Sequence, residues 1–309
     1  MPSLLDRRRL GGVWSATPTP LDNALALDVD SIPRLVEHHL RLGVRGLFLG
    51  GTCGEGPWLR RSDLRRLVKE TAAASAGRLL LAVQITDNSA GRMLDNAAQA
   101  AEDGADLAVI APPFFLLNAN ERNVCDLYLE TVRQCPLPVG IYDRGSGGSV
   151  PVTAGVLEAV YAEPAVVLVK DSSVDTARRD IALKARAARP DLRLLTGYEF
   201  DVVSYLLHGY DGALLGGGIF NGCLAGMILD ACARGHADEA RALQERMNAL
   251  MWDVYGGREI TCWLTGLKEL LVRMGVFQTN RNLLNYPLTE ACSAAIDQAL
   301  QRERAVLLP

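Results

Sequence analysis

Short apolar runs alternate with amphipathic stretches along most of this chain. GVWSATPTP (12–20), RGLFLGG (45–51), RLLLAVQ (78–84) and LAVIAPP (107–113) read as strands, as do PVGIYDR (138–144), VVLVKDS (166–172), RLLTGY (193–198) and DGALLGG (211–217). These runs are apolar almost throughout, as strands are when a parallel sheet is covered on both faces. The first stretch between them, SIPRLVEHHLRLG (31–43), puts Ile32, Leu35, Val36, His39 and Leu40 on one side of a helix. Further helices are expected over 62–76, with Ser62 as N-cap, and near 89–103, 120–134, 153–162, 175–188, 200–209 and 222–234.

Eight successive strand–helix units of roughly 25–30 residues predict an α/β protein with a closed (β/α)8 TIM barrel. Residues 236–309 show no strand pattern and read as helices near 237–254, 260–275 and 289–304. The expected organisation is a barrel over 1–235 with a C-terminal helical extension over 236–309 packed on it, as one structural unit. An open doubly wound sheet is the competing arrangement, but no GxGxxG follows an early strand.

The 309 residues are 49% hydrophobic and 22% charged, a globular composition with ample material for a large core. A net charge of −4 provides no global attraction for nucleic acid or an anionic membrane. The short basic run Arg7-Arg8-Arg9 reads as a solvated end. Seven cysteines, odd in number and without a CxxC, read as reduced thiols. The N-terminal MPSLLDRRRLGG lacks the apolar stretch of a signal peptide, and no segment has the roughly 20 apolar residues of a membrane span. The expected setting is cytoplasmic.

Barrel enzymes of this kind build their sites at the C-terminal strand ends. There the chain offers Thr52, Cys53 and Glu55 after strand 2, and Tyr142, Asp143 and Arg144 at strand 5. Lys170 and Asp171 end strand 6, Thr196, Gly197 and Tyr198 end strand 7, and Gly216-Gly217-Gly218 follows strand 8, with Asn221 beyond. None of the four histidines is among them, so a metal centre or a Ser-His-Asp site is not expected.

Of 32 basic residues only four are lysine: Lys69, Lys170, Lys184 and Lys268. A lysine at a buried strand end loses hydration, which favours the neutral amine. A neutral amine attacks a ketone to give an imine, and the protonated imine stabilises a carbanion on the neighbouring carbon. Pairing with Asp171, or an ammonium group reaching the rim, are equally open readings of Lys170. The phenol of Tyr142 suits proton transfer or plain core packing. The Thr52–Cys53 turn suits anion capture by backbone N–H groups, or is an ordinary turn.

Taken together, GVRGLFLGGTCGEGPWL, GIYDR, VVLVKDSS, ATPTPLD and GYEFDVVSYLLHGYDGALLG resemble the dihydrodipicolinate synthase / N-acetylneuraminate lyase family, in order and spacing over nearly the whole chain. The resemblance implies that Lys170 forms a Schiff base with a 2-oxo acid, often pyruvate, and that Tyr142 is the acid/base. It implies that Thr52 and Cys53 hold the substrate carboxylate through their backbone and that the Thr52 hydroxyl joins a relay with Tyr142. Arg144, Gly197 and Leu214 complete the expected substrate contacts. No cofactor and no metal are implied, and a homotetramer is.

Three departures bear on the substrate. Cys53 replaces the family's second threonine, Phe114 and Phe115 replace its paired tyrosines, and Gly147 stands where the synthases carry a substrate-gripping arginine. Arg144, two residues after Tyr142, resembles instead the deoxy-keto-glucarate dehydratase branch, with Asp143 in place of its asparagine. The Gly216–Gly218 run, about two residues longer than the family's strand-8 turn, reads either as space for a polyhydroxy chain or a phosphate or as a glycine turn for close backbone packing. The resulting expectation is a lyase acting on a 2-oxo-3-deoxy sugar acid or a pyruvate-derived substrate. Dehydration, dihydrodipicolinate synthesis and a non-catalytic sugar-acid sensor are the alternatives.

Overall fold

The computed structural model describes residues 7–309, with side chains from Arg9 onward. Of the basic run only the Arg9 side chain is therefore described, and it is exposed; residues 1–6 of the leader reading lie outside the described residues.

Eight parallel strands close into a barrel in chain order: β1 (Gly12–Ala16), β2 (Gly46–Leu49), β3 (Leu80–Gln84), β4 (Leu107–Ile110), β5 (Val139–Asp143), β6 (Val166–Asp171), β7 (Arg193–Thr196) and β8 (Gly212–Leu215). The ring closes where Val13, Trp14 and Ser15 of β1 pair with Ala213, Leu214 and Leu215 of β8. Nearly every strand residue is buried, which is why the strands are written as unbroken apolar runs. The first run is shorter than expected. Pro18 and Pro20 have no N–H to donate, so the ladder stops at Ala16.

The helices between strands are α1 (Ile32–Arg41), α2 (Arg61–Ser75), α3 (Ala90–Glu102), α4 (Glu121–Gln134), α5 (Ala154–Tyr161), α6 (Thr176–Ala188) and α7 (Val202–Leu207). α8 (Gly218–Ala233) follows β8, then α9 (Ala237–Tyr255), α10 (Trp263–Arg273), α11 (Glu290–Arg302) and the short α12 (Arg304–Leu307). Side chains satisfy the first free N–H groups of several: Ser89 for α3, Asn120 with Asn123 as a reciprocal box for α4, Thr153 for α5 and Thr289 for α11.

Two expectations need correction. Ser62 does not cap α2: Arg60 is the extended residue at its start, and Ser62 already lies in the first turn. α8 begins at Gly218, four residues earlier than the pattern suggested. Gly217 O accepts from the N–H groups of Phe220 and Asn221, so the glycine run is partly helix. α8 is buried over most of its circumference, which erases the amphipathic period that would have marked its start.

α9 packs against α7, α8, α10 and α11, placing the Tyr255–Trp263 turn near the C-terminal strand ends. No helix among the described residues is long and apolar enough to cross a membrane.

Candidate active site

Tyr142 and Lys170 are direct partners in the β5–β6 register. Successive residues of a strand point to opposite faces, so the neighbours Asp143 and Asp171 point the other way. Asp143 receives the guanidinium of Arg178 from α6, with contacts of 2.7 to 3.1 Å. Asp171 accepts the Tyr210 hydroxyl at 2.6 Å and the Ser173 hydroxyl at 2.7 Å. Both aspartates are structural groups of the sheet–helix layer. Arg178 neutralises the aspartate that stands in place of the asparagine expected there, and Asp171 is not the partner of Lys170.

Lys170 is 6% exposed and makes no hydrogen bond and no ion pair among the described residues. Its Nζ lies 4.1 Å from the centre of the Tyr142 ring and 5.1 Å from that of Phe48. Phe48 meets Tyr142 edge to face at 5.9 Å, which fixes the phenol ring. The hydroxyls of Thr52 and Ser172 face the Tyr142 phenol closely enough to favour its ionised form. Burial alone would raise the pKa of this phenol. The charges of Lys170 and Arg144 and the two hydroxyl contacts outweigh it and hold the Tyr142 pKa below the ordinary tyrosine value.

The GGTCGE turn packs against the end of β1, where Thr19 Oγ1 donates to Gly54 O at 2.7 Å. Glu55 takes a left-handed backbone conformation, φ 58°, and its carboxylate is wholly buried. Lys268 of α10 donates to it, and the Leu283 N–H donates to its other oxygen at 2.5 Å. Glu55 thus anchors the turn. Within the turn, neither the Thr52 nor the Cys53 backbone N–H meets an acceptor among the described residues. The Cys53 thiol donates weakly to Gly216 O at 3.7 Å, and burial, with nearby Glu199, pushes its pKa up to about 12. It is an inert group joining the β2 and β8 loops.

Gly197 spends its N–H on Asp171 O, at 2.6 Å. A Cβ there would sit 2.9 Å from Lys170 Cε and still closer to Ser172 Oγ, so glycine keeps the lysine's path clear. Arg144 is half-buried and pairs with no acidic group among the described residues, leaving its guanidinium available beside Tyr142. Leu214 is buried within β8 opposite Trp14, two residues before the glycine turn. No group of three or more His, Cys, Asp or Glu among the described residues is arranged to hold a metal ion.

Three residues at the site escaped the sequence reading. Phe48 lies inside an apolar run and has no polar signal. Ser172 follows Lys170 by two positions, so strand alternation places it on the same face and could have found it. Glu199 follows Gly197 by two. Its carboxylate accepts from Gly217 N at 2.7 Å and from the Tyr255 hydroxyl at 3.0 Å. Burial raises its pKa, against the lowering effect of these donors and of Lys170.

Residues 9–302 match the dihydrodipicolinate synthetase family. Among curated relatives, N-acetylneuraminate lyase of Enterobacter sp. (strain 638) is 27% identical over 282 residues, covering 90% of this chain and 87% of that protein. N-acetylneuraminate lyase of Citrobacter koseri is 28% identical, covering 90% and 86%. Among solved structures, dihydrodipicolinate synthase from Bacteroides thetaiotaomicron superposes with a TM-score of 0.85 at 29% identity, covering 95% of this chain and 98% of that one. CdNal from Clostridium difficile in complex with mannosamine shares the fold, with a TM-score of 0.84 at 18% identity over 95% of this chain and 99% of that one. With a closed eight-stranded barrel, an unpaired lysine at the end of β6 and a match over almost its entire length, the chain belongs to the dihydrodipicolinate synthetase family and is an enzyme of the lyase type.

Proposed function

We propose that the protein is a class I lyase that cleaves a 2-oxo acid through a Schiff base on Lys170, with a 2-oxo-3-deoxy sugar acid as the substrate class. The observation that carries this reading is the Lys170 amine, without an ion-pair partner among the described residues, 4.1 Å from the centre of the Tyr142 ring, its direct partner across the β5–β6 ladder. The amine adds to the C2 ketone, and loss of water gives the imine. Tyr142 supplies and removes the protons of that step, with Thr52 as its relay partner. The free N–H groups of Thr52 and Cys53 are suited to the C1 carboxylate, and Arg144 to an oxygen further along the chain.

For aldol cleavage, a base takes the C4 hydroxyl proton and the C3–C4 bond breaks. An aldehyde leaves, and the bonding pair enters the imine as an enamine. Protonation at C3 and hydrolysis return pyruvate and the free lysine. A depressed phenol pKa suits Tyr142 for the proton transfers, because phenolate and phenol are then both accessible nearer neutral pH.

Borohydride reduction in the presence of pyruvate, followed by intact-mass measurement, tests the reading. A stable adduct mapped to Lys170 is expected, and its absence would remove the Schiff base. Assaying 2-oxo sugar acids for released pyruvate against lost water separates cleavage from dehydration. The same reading includes a cytoplasmic homotetramer. Exposed Trp58, in the segment after β2, and Phe115 and Leu117, in the segment after β4, support burial against a second copy. Sedimentation at a monomer mass would exclude it.

A further inference from the structure

Cys262 is the N-cap of α10 and Cys292 lies in the first turn of α11, and both are buried against the last turn of α9. The Cys262 N–H donates to Tyr255 O at 2.8 Å, and the Cys292 thiol donates to Val254 O at 3.5 Å and Asp253 O at 3.6 Å. Thr289 Oγ1 stands between the two cysteines. It accepts the Cys292 N–H at 3.2 Å and lies 3.6 Å from Cys262 Sγ. Gly266, one turn into α10, keeps the approach open: a Cβ there would overlap Val254 O and lie 3.3 Å from Cys292 Sγ. The two sulfurs face each other across this gap, each close enough to act on the other's ionisation.

The two thiols differ in character. Burial works against the Cys262 thiolate, but the Thr289 N–H, the hydroxyls of Thr289 and Thr261 and the Cys292 thiol outweigh it and hold the pKa below the ordinary cysteine value. Burial pushes Cys292 up to about 12, and the neighbouring Cys262 adds to the shift. The other five thiols are pushed up as well, with burial the largest cause in each. Cys262 also lies one layer beneath the surface, since Thr261 and Thr289, which touch its sulfur, are exposed.

We propose that Cys262 and Cys292 form an oxidation site, at which a peroxide converts the resting dithiol into a disulfide that staples α10 to α11. The Cys262 sulfur attacks a peroxide oxygen, the O–O bond breaks, and the departing hydroxide takes up the proton that Cys262 had released. The Cys292 sulfur then attacks the sulfur of the sulfenic acid, the S–O bond breaks, and the Cys292 proton leaves with the hydroxyl as water. Two thiols and one peroxide give one disulfide and two waters. Once Cys262 is a neutral sulfenic acid, its charge no longer holds the Cys292 proton in place. The bridge closes a loop that contains Lys268 and Leu283, the two donors to Glu55, and so tightens the segment that anchors the Thr52–Cys53 turn.

The test treats the full chain with a small excess of hydrogen peroxide, alkylates the remaining thiols and maps the peptides without reduction. A Cys262–Cys292 linked peptide is expected before any other cysteine reacts, and dithiothreitol should reverse it. The bridged protein should melt about 3–8 °C above the reduced one. In Cys292→Ser, dimedone should trap a sulfenic acid at Cys262, whereas in Cys262→Ser the Cys292 thiol should stay unreactive. The peptide map and the melting shift are both read on the wild type, so they stand even where a variant fails to fold. No bridge, a bridge formed first between other cysteines, or a dimedone label on Cys292 in place of Cys262 overturns the oxidation site. A bridge with no rise in melting temperature overturns the staple.

Discussion

Lys268 and Glu55 form an ion pair from which water is wholly excluded: both side chains are fully buried, and they lie 213 residues apart in the chain. Lys268 also donates to Arg281 O at 2.8 Å, so one ammonium group ties α10 and the following segment to the turn that carries Thr52 and Cys53. Burial lowers the Lys268 pKa, and the Glu55 carboxylate counters that shift.

Removing one partner leaves the other charge buried and alone. Lys268→Met is expected to destabilise the protein by about 3–5 kcal/mol. Urea unfolding measures this. A loss below about 1 kcal/mol, the usual worth of an exposed pair, would show that the pair is not the anchor described.

Lys170→Ala should abolish the borohydride-trapped adduct with pyruvate. Tyr142→Phe should keep the fold and slow turnover by about 10²–10⁴-fold, the scale of a lost general acid/base. Turnover of the phenylalanine variant at the wild-type rate would strip Tyr142 of its role.

The lowered Tyr142 pKa has a sign that can be checked. Thr52 and Ser172 stabilise the phenolate, so removing a hydroxyl should raise the pKa. Thr52→Val is therefore expected to move the tyrosinate absorbance transition and the alkaline limb of the pH–rate profile to higher pH. A shift to lower pH, or none, would mean that the hydroxyl does not act on the phenolate.

His38 and His39 of α1 are fully buried, and burial lowers their pKa values to about 4 and about 3. His38 Nε2 meets Ile219 O at 2.7 Å, binding α1 to α8. The unfolded chain binds these protons near the ordinary histidine pKa of 6.5, and the folded chain does not. The stabilisation is therefore complete above that value and falls away as pH drops toward 4 and 3. Each imidazole should cost up to about 1.4 kcal/mol per pH unit in that window. Denaturant unfolding between pH 7 and 4 should show this slope, reduced in His39→Leu. A slope unchanged by that substitution would assign the acid sensitivity elsewhere.

Much of this molecule was legible in its sequence. The eight strands, their order and the closed barrel follow from apolar runs spaced by amphipathic helices, because strands buried on both faces leave little other way to cover their surface. The facing of Tyr142 and Lys170 was implied by adjacent strands ending at the same level. The start of α8 was not legible, since a helix buried nearly all round has no polar face to mark its turns.

The sequence by itself determined the barrel, the strand-end chemistry and, through its motifs, the family. Only the tertiary structure separated two lysines with equally apolar surroundings. Lys268 finds Glu55, and Lys170 finds two aromatic rings and, among the described residues, no ion-pair partner within contact distance. Only the fold, likewise, brought Glu199 to the start of α8 and Tyr255 to Glu199. The reason is physical. Strand and helix periods are local properties of neighbouring residues, whereas the partner of a buried charge is chosen by the closure of the whole ring and the return of the C-terminal helices across it.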